Sequence, residues 1–147
     1  MSDKETGTEA FEAARERRIE LNVAIANVER AAARASSKPT WRSKLLVELD
    51  GVRIALDQHV VEVEGEGGIL IEMMITAPRL ANKINKVQAE HPVLCAQVAE
   101  TIETAKSSED VDIIRTTILD TLGAIARHRQ HGADLLYEGY NVDIGGG

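Results

Sequence analysis

Apolar residues recur every three or four positions along four stretches of this chain, and short polar breaks separate the stretches. That spacing is the helix period, because side chains three and four apart share one helical face, whereas a half-buried strand alternates. The breaks are Ser36-Ser37-Lys38-Pro39-Thr40, Thr76-Ala77-Pro78 and Ser107-Ser108-Glu109-Asp110. Their Ser and Thr oxygens can accept the orphan N–H groups of a following helix, and proline, where present, suits a first helical turn.

The first helix is expected from about Thr8 to Ala35, with Phe11, Ala14, Leu21, Ile25, Val28 and Ala32 on its stripe. Thr6 and Glu9 have capping-box spacing. The second begins near Trp41 and carries Leu45, Leu49, Val52, Leu56, His59 and Val63. The third begins at Pro78 and carries Leu80, Ile84, Val87, His91, Leu94 or Cys95, Val98 and Ile102. The fourth carries Ile114, Ile118, Thr121, Ile125, His128, then His131 or Gly132, and Leu135. Short connections between long amphipathic helices force antiparallel neighbours. The expected fold is therefore all-α, an antiparallel up-and-down four-helix bundle over residues 8–140, preceded by residues 1–7 and followed by a loosely ordered tail, 141–147. A chain of 147 residues suits one such domain, and an aromatic content of 3% suits aliphatic seams.

Two places disturb the helices. Gly65-Glu66-Gly67-Gly68 ends the second helix near Glu64 or kinks it before Ile69, since each glycine weakens a helix by roughly 1 kcal/mol. Pro92 removes a backbone hydrogen bond and is expected to bend the third helix just upstream.

The formal net charge of −7 speaks against a nucleic-acid partner, which needs a concentrated basic face. Arg15, Arg17 and Arg18 cluster, but Glu12, Glu16 and Glu20 interleave with them, the pattern of a solvated, ion-paired face. A single cysteine, Cys95, allows no internal disulfide and fits a reducing compartment. The start of the chain lacks an apolar signal core, and its longest apolar run, Ile69 to Ala77, is interrupted by Glu72 and too short to span a bilayer. The expectation is a cytoplasmic chain with no membrane partner. Met73, Met74 and Ile75 extend beyond one stripe, as expected of a homodimer contact or of a bundle end closing on itself.

The chain has four histidines, and His59, His91 and His128 each replace an aliphatic residue on the stripe of a different helix. Their offsets from the nearest breaks differ by a turn or two, so the three imidazoles are expected at one height in the bundle. Carboxylates stand close by: Glu62, Glu64 and Glu66 after His59, Glu90 before His91, and Asp134 after His128. His131 follows His128 by three residues. Bundle metal sites are built from inward-facing Glu and His on facing helices, and such donors suit iron, zinc or manganese. Cys95, one turn after His91, is a soft ligand or, more simply, a small core residue. The chain contains no phosphate-binding glycine loop, no CxxC and no HExxH.

The stretch HRQHGADLLYEGYNVDIGG, from His128 to Gly146, resembles the C-terminus of bacterial hemerythrin-like (HHE cation-binding) proteins. So do Leu56–His59, Val63–Gly65, Gly68–Glu72 with Pro78–Ala81, and Glu90–Leu94. The resemblance covers about Trp41 to Gly146; the first helix matches in pattern alone. It implies a four-helix bundle with a non-haem iron site, one histidine from each of the last three helices, and Glu64 or Glu66 as the acidic residue after the first. Where the family places a first-helix ligand, this chain offers Arg18 and Leu21, and Val63 and Gly132 occupy the usual Glu position of His-x-x-x-Glu. The expected metal set is His59, Glu64, Glu90, His91, His128 and His131, holding one or two irons, with zinc or manganese as alternatives. Its ligand is O2, NO or peroxide, bound or sensed. The rival expectations are a metal-free helical interaction module, which the missing first-helix ligand motivates, and a small metal-dependent enzyme acting on peroxide.

Overall fold

The computed structural model describes residues 3–140, with side chains from residue 9 onward, and every regular element among them is helical. Four long helices, α1 (Asp3–Ala33), α2 (Trp41–Glu64), α4 (Ala81–Ser107) and α5 (Val111–Tyr140), pack into a bundle. A short helix, α3 (Ile69–Thr76), and a 3-10 turn at Pro78–Leu80 join α2 to α4. No described helix is long and apolar enough to cross a membrane. The tail expected to be loose, 141–147, lies outside the described residues.

The seams follow the periodicity. Leu21, Ile25 and Val28 of α1, Leu45, Leu49, Val52 and Leu56 of α2, Ile84, Leu94 and Val98 of α4, and Ile114, Ile118 and Ile125 of α5 are all buried. Each such leucine or isoleucine contributes roughly 1.5–3 kcal/mol by leaving water. The core falls into two clusters. One gathers Leu21, Leu56, Leu94 and Ile125 with the residues toward Trp41; the other gathers Ala14, Val63, Val87 and Leu135 with the residues around α3. Between these two apolar layers, each long helix contributes one polar side chain: Arg18, His59, His91 or His128.

Helix ends are closed by side chains from neighbouring elements. Arg42 donates to the carbonyl of Ser108 at 2.9 Å and to that of Ala105, both at the C-terminus of α4. Arg115 donates to the carbonyls of Ala32 and Arg34 at 3.0 Å, with its guanidinium 5.5 Å from the Trp41 ring centre. Cations suit these ends, where unsatisfied carbonyls concentrate. Asp110 caps α5 by accepting from the N–H groups of Asp112 and Ile113 at 3.0 and 3.2 Å.

Two sequence expectations are corrected, for the start of α1 and for Cys95, and one open choice is decided. Helix α1 begins at Asp3, so Thr6 and Glu9 lie inside it and cannot form an N-terminal capping box. Helix α2 ends at Glu64 and the chain resumes as a separate helix at Ile69, which settles the choice the glycines left open. Cys95 is half-buried at the edge of the core, its thiol 3.8 Å from an Asp57 oxygen. Of the three apolar residues read as a contact or a bundle end, Met73 is fully buried and Ile75 is exposed.

The glycine turn fixes where α3 lies. Gly67 has φ of 77°, a conformation open to glycine at little cost. Gly68 is packed against the end of α2: a Cβ there would meet the carbonyl oxygens of Glu62, of Val63 at 2.8 Å and of Gly65 at 2.9 Å. These are backbone atoms that cannot swing away. Gly68→Ala is therefore expected to cost about 2–3 kcal/mol and to lower Tm by roughly 5–10 °C. A thermal melt within about 2 °C of wild type would show that the turn tolerates a side chain.

Candidate metal centre

The three seam histidines meet. One ring nitrogen from each of His59, His91 and His128 lies within 4.8 Å of the others, and the ring centres are 5.4, 5.7 and 4.7 Å apart for the pairs 59–91, 59–128 and 91–128. His91 and His128 are almost wholly buried, and His59 is half-buried. They line a cavity of about 60 Å³ whose apolar wall includes Leu21, Ile69 and Leu70.

Carboxylates fix two of the rings from behind, each from the preceding long helix. Glu64 of α2 accepts from His91 Nδ1 at 2.8 Å, and Glu90 of α4 accepts from His128 Nδ1 at 3.0 Å. An ionised carboxylate can only accept, so each Nδ1 carries a proton. In a neutral ring the lone pair then sits on Nε2. The two Nε2 atoms face each other at 3.1 Å. Two lone pairs at that distance repel, and a cation or a shared proton between them removes the conflict. A separation of 3.1 Å also matches two nitrogens on one ion at about 2.1 Å each. The third ring has a buried Nδ1 with no partner among the described residues. This donor set fits a single divalent transition metal, with carboxylates orienting the rings as second partners do in histidine metal sites.

The electrostatics favour the neutral rings that a metal requires. Burial, then the neighbouring His91, His128 and Arg18, lower the His59 pKa to about 3. Burial also lowers that of His128, against the opposing pull of Glu90. For Glu90, burial pushes the carboxyl up, but hydrogen bonds from His128 and His131 outweigh it and the net shift is downward.

All six residues of the expected set fall in this region, in different places. His59, His91 and His128 converge. Glu64 and Glu90 stand one hydrogen bond behind the rings, not among the converging nitrogens. His131 is exposed and pairs with the second oxygen of Glu90 at 2.7 Å. Glu66 is exposed, and Asp134 accepts from the Gln130 amide at 2.9 Å, away from the rings.

The sequence did not single out Arg129, whereas Arg18 stood at the level of the missing first-helix ligand as well as on the ion-paired face. Arg18 and Arg129 both border the cavity. Arg15 and Arg17 do belong to the ion-paired face read from the sequence, at 3.7 Å from Glu12 and 2.7 Å from Glu20, but Arg18 turns inward instead. The signal was present in the stripe: Ala14 and Leu21 are seven apart, and Arg18 fills the missing position between them. No family model matches this chain, and neither a curated protein nor a solved structure matches it.

Proposed function

We propose that this chain is a non-haem metal-binding protein of the hemerythrin-like kind, with iron the expected ion, and that it binds or senses O2, NO or peroxide at the histidine layer. The observation that carries the reading is the convergence of three seam histidines, two of them with Nδ1 committed to carboxylates and Nε2 facing inward. The direction of the helices supports the same arrangement. Helices α1 and α4 pass from the cluster around α3 toward the one near Trp41, and α2 and α5 pass the other way. That alternation is what an antiparallel up-and-down bundle requires.

When bound, the ion supplies an open coordination position and, if iron, a change of oxidation state. The protein's own part follows from its residues. His59, His91 and His128 hold the metal as neutral imidazoles. Glu64 and Glu90 fix two ring orientations and make those rings more basic. Leu21, Ile69 and Leu70 keep bulk water from the cavity.

Elemental analysis of protein produced with ample iron tests the reading, together with spectra before and after reduction and re-aeration. About one iron per chain, with a near-ultraviolet band that changes on aeration, is expected from a three-nitrogen site open to solvent molecules. Protein that carries no transition metal, even after anaerobic reconstitution, would sink the reading and make the histidines purely structural.

A further inference from the structure

The carboxylate-behind-histidine pattern breaks at one place. Helix α2 supplies Glu64 to His91 of α4, and α4 supplies Glu90 to His128 of α5. By the same pattern α1 would supply a carboxylate to His59 of α2. It supplies Arg18 instead, which lines the cavity that the three rings share. Arg18 has no hydrogen-bond or ion-pair partner among the described residues, although its neighbours Arg15 and Arg17 each have one.

A second cation lines the same cavity. Arg129 donates from Nη1 to the Asn22 side-chain oxygen, while its buried Nε has no partner among the described residues. Among the described residues, the cavity lining contains no aspartate or glutamate. With a divalent ion on the three histidines, the positive charges of the ion, Arg18 and Arg129 outnumber the two carboxylates behind the rings. An uncompensated charge in a largely dehydrated site is costly, and an anion that accepts from a guanidinium relieves it. The space sets the size. A cavity of about 60 Å³ has room for a few water-sized units, since one needs only about 10–15 Å³ of such space.

We infer that Arg18, assisted by Arg129, makes this cavity a seat for a small inorganic monoanion, bound between the guanidinium and the open side of the metal. This rests on the metal reading above and narrows its ligand class from neutral gases to anions such as hydroperoxide or nitrite. Arg18 is then a binding residue that sets specificity.

The test uses cobalt(II) as the metal and azide as the anion. Cobalt uptake is measured per chain, and azide is titrated while the visible spectrum of the bound cobalt is followed. Wild type is expected to hold about one cobalt and to bind azide with a saturable spectral change. Arg18→Gln is expected to keep the cobalt and to lose at least about tenfold in azide affinity, the worth of a charge-assisted hydrogen bond. Arg18→Lys is expected to recover part of that loss, and Arg15→Gln, whose charge is already paired with Glu12, to change affinity by less than about twofold. Azide affinity in Arg18→Gln within about twofold of wild type would overturn the inference. So would a folded Arg18→Gln, by circular dichroism, that no longer takes up cobalt, since Arg18 would then support the centre and not its ligand. Wild type that holds cobalt and ignores azide defeats this inference alone; wild type that takes up no cobalt defeats the metal reading and this with it.

Discussion

His59→Leu should move the stability of the metal-free and metal-loaded protein in opposite directions. Without metal, His59 is a half-buried ring whose Nδ1 is itself buried and has no partner among the described residues. A buried polar group left unsatisfied costs about 1–3 kcal/mol, and leucine, of similar size, avoids that cost. The metal-free variant is therefore expected to melt about 3–6 °C above metal-free wild type. With metal the order reverses. A ligand that binds the folded state alone stabilises it by about 2.7 kcal/mol at one hundred times its Kd and about 4.1 at one thousand times, some 8–15 °C for a chain of this size. Wild type should gain that increment on adding iron(II) or zinc, and His59→Leu should gain little of it, because two nitrogens replace three. Paired melts with and without metal check both signs. A variant less stable than wild type in both forms would mean that His59 is a packing residue, and the site would lose its third ligand.

The same substitution shows why function was partly legible before the fold was known. Histidine on an aliphatic stripe disagrees with the local pattern, and such disagreements gather where a protein accepts lower stability for chemistry. The stripes of α2, α4 and α5 placed three histidines on facing seams because period and spacing alone determine which face a residue occupies. They did not reveal what stands behind each ring. Glu64 lies five residues after His59 on the same helix yet serves His91 on another, and Glu90 neighbours His91 yet serves His128. Those pairings depend on the lateral order and axial shift of helices, which no single-helix period encodes. Arg18 carried two conflicting readings, a place on an ion-paired face and a place at the level of the missing first-helix ligand. Alternating Glu and Arg suggest a solvated face, and the conflicting cue was a gap in an apolar stripe. The N-terminus of α1 was misplaced for a related reason: capping-box spacing between Thr6 and Glu9 is also compatible with helix interior, and the helix runs through it from Asp3. The break at Gly65–Gly68 was seen, but choosing between a kink and a new helix needed the backbone contacts of Gly68.

Metal-free protein is expected to lose stability steadily as the pH falls from 7 to 5. His59 has an ordinary pKa of 6.5, which the folded state lowers to about 3 through burial and then through the neighbouring His91, His128 and Arg18. Between those values the unfolded chain binds a proton that the folded chain refuses, so stability rises with pH. The contribution of His59 is complete above about pH 6.5 and disappears as the pH falls toward 3. His128 is shifted down as well, again chiefly by burial, and adds with the same sign. Glu90, whose net shift is also downward, adds a loss of the same sign, but at more acid pH, below its ordinary value of 4.5. Across pH 7 to 5 His59 alone amounts to about 2 kcal/mol, a fall in Tm of roughly 4–8 °C, and His128 adds to it in the same direction. The metal-loaded protein should fall further over the same interval, because the ion competes with protons for the same nitrogens and its release removes the mass-action term. His59→Leu separates the contributions: its metal-free melts should lose the roughly 2 kcal/mol of pH dependence that belongs to His59 and keep only what His128 adds. A wild-type Tm that stays flat between pH 7 and 5 would mean that the cavity admits water freely enough to hydrate an imidazolium. In that case the rings would not be held neutral, and the affinity for metal at neutral pH would have to come from the carboxylates behind them.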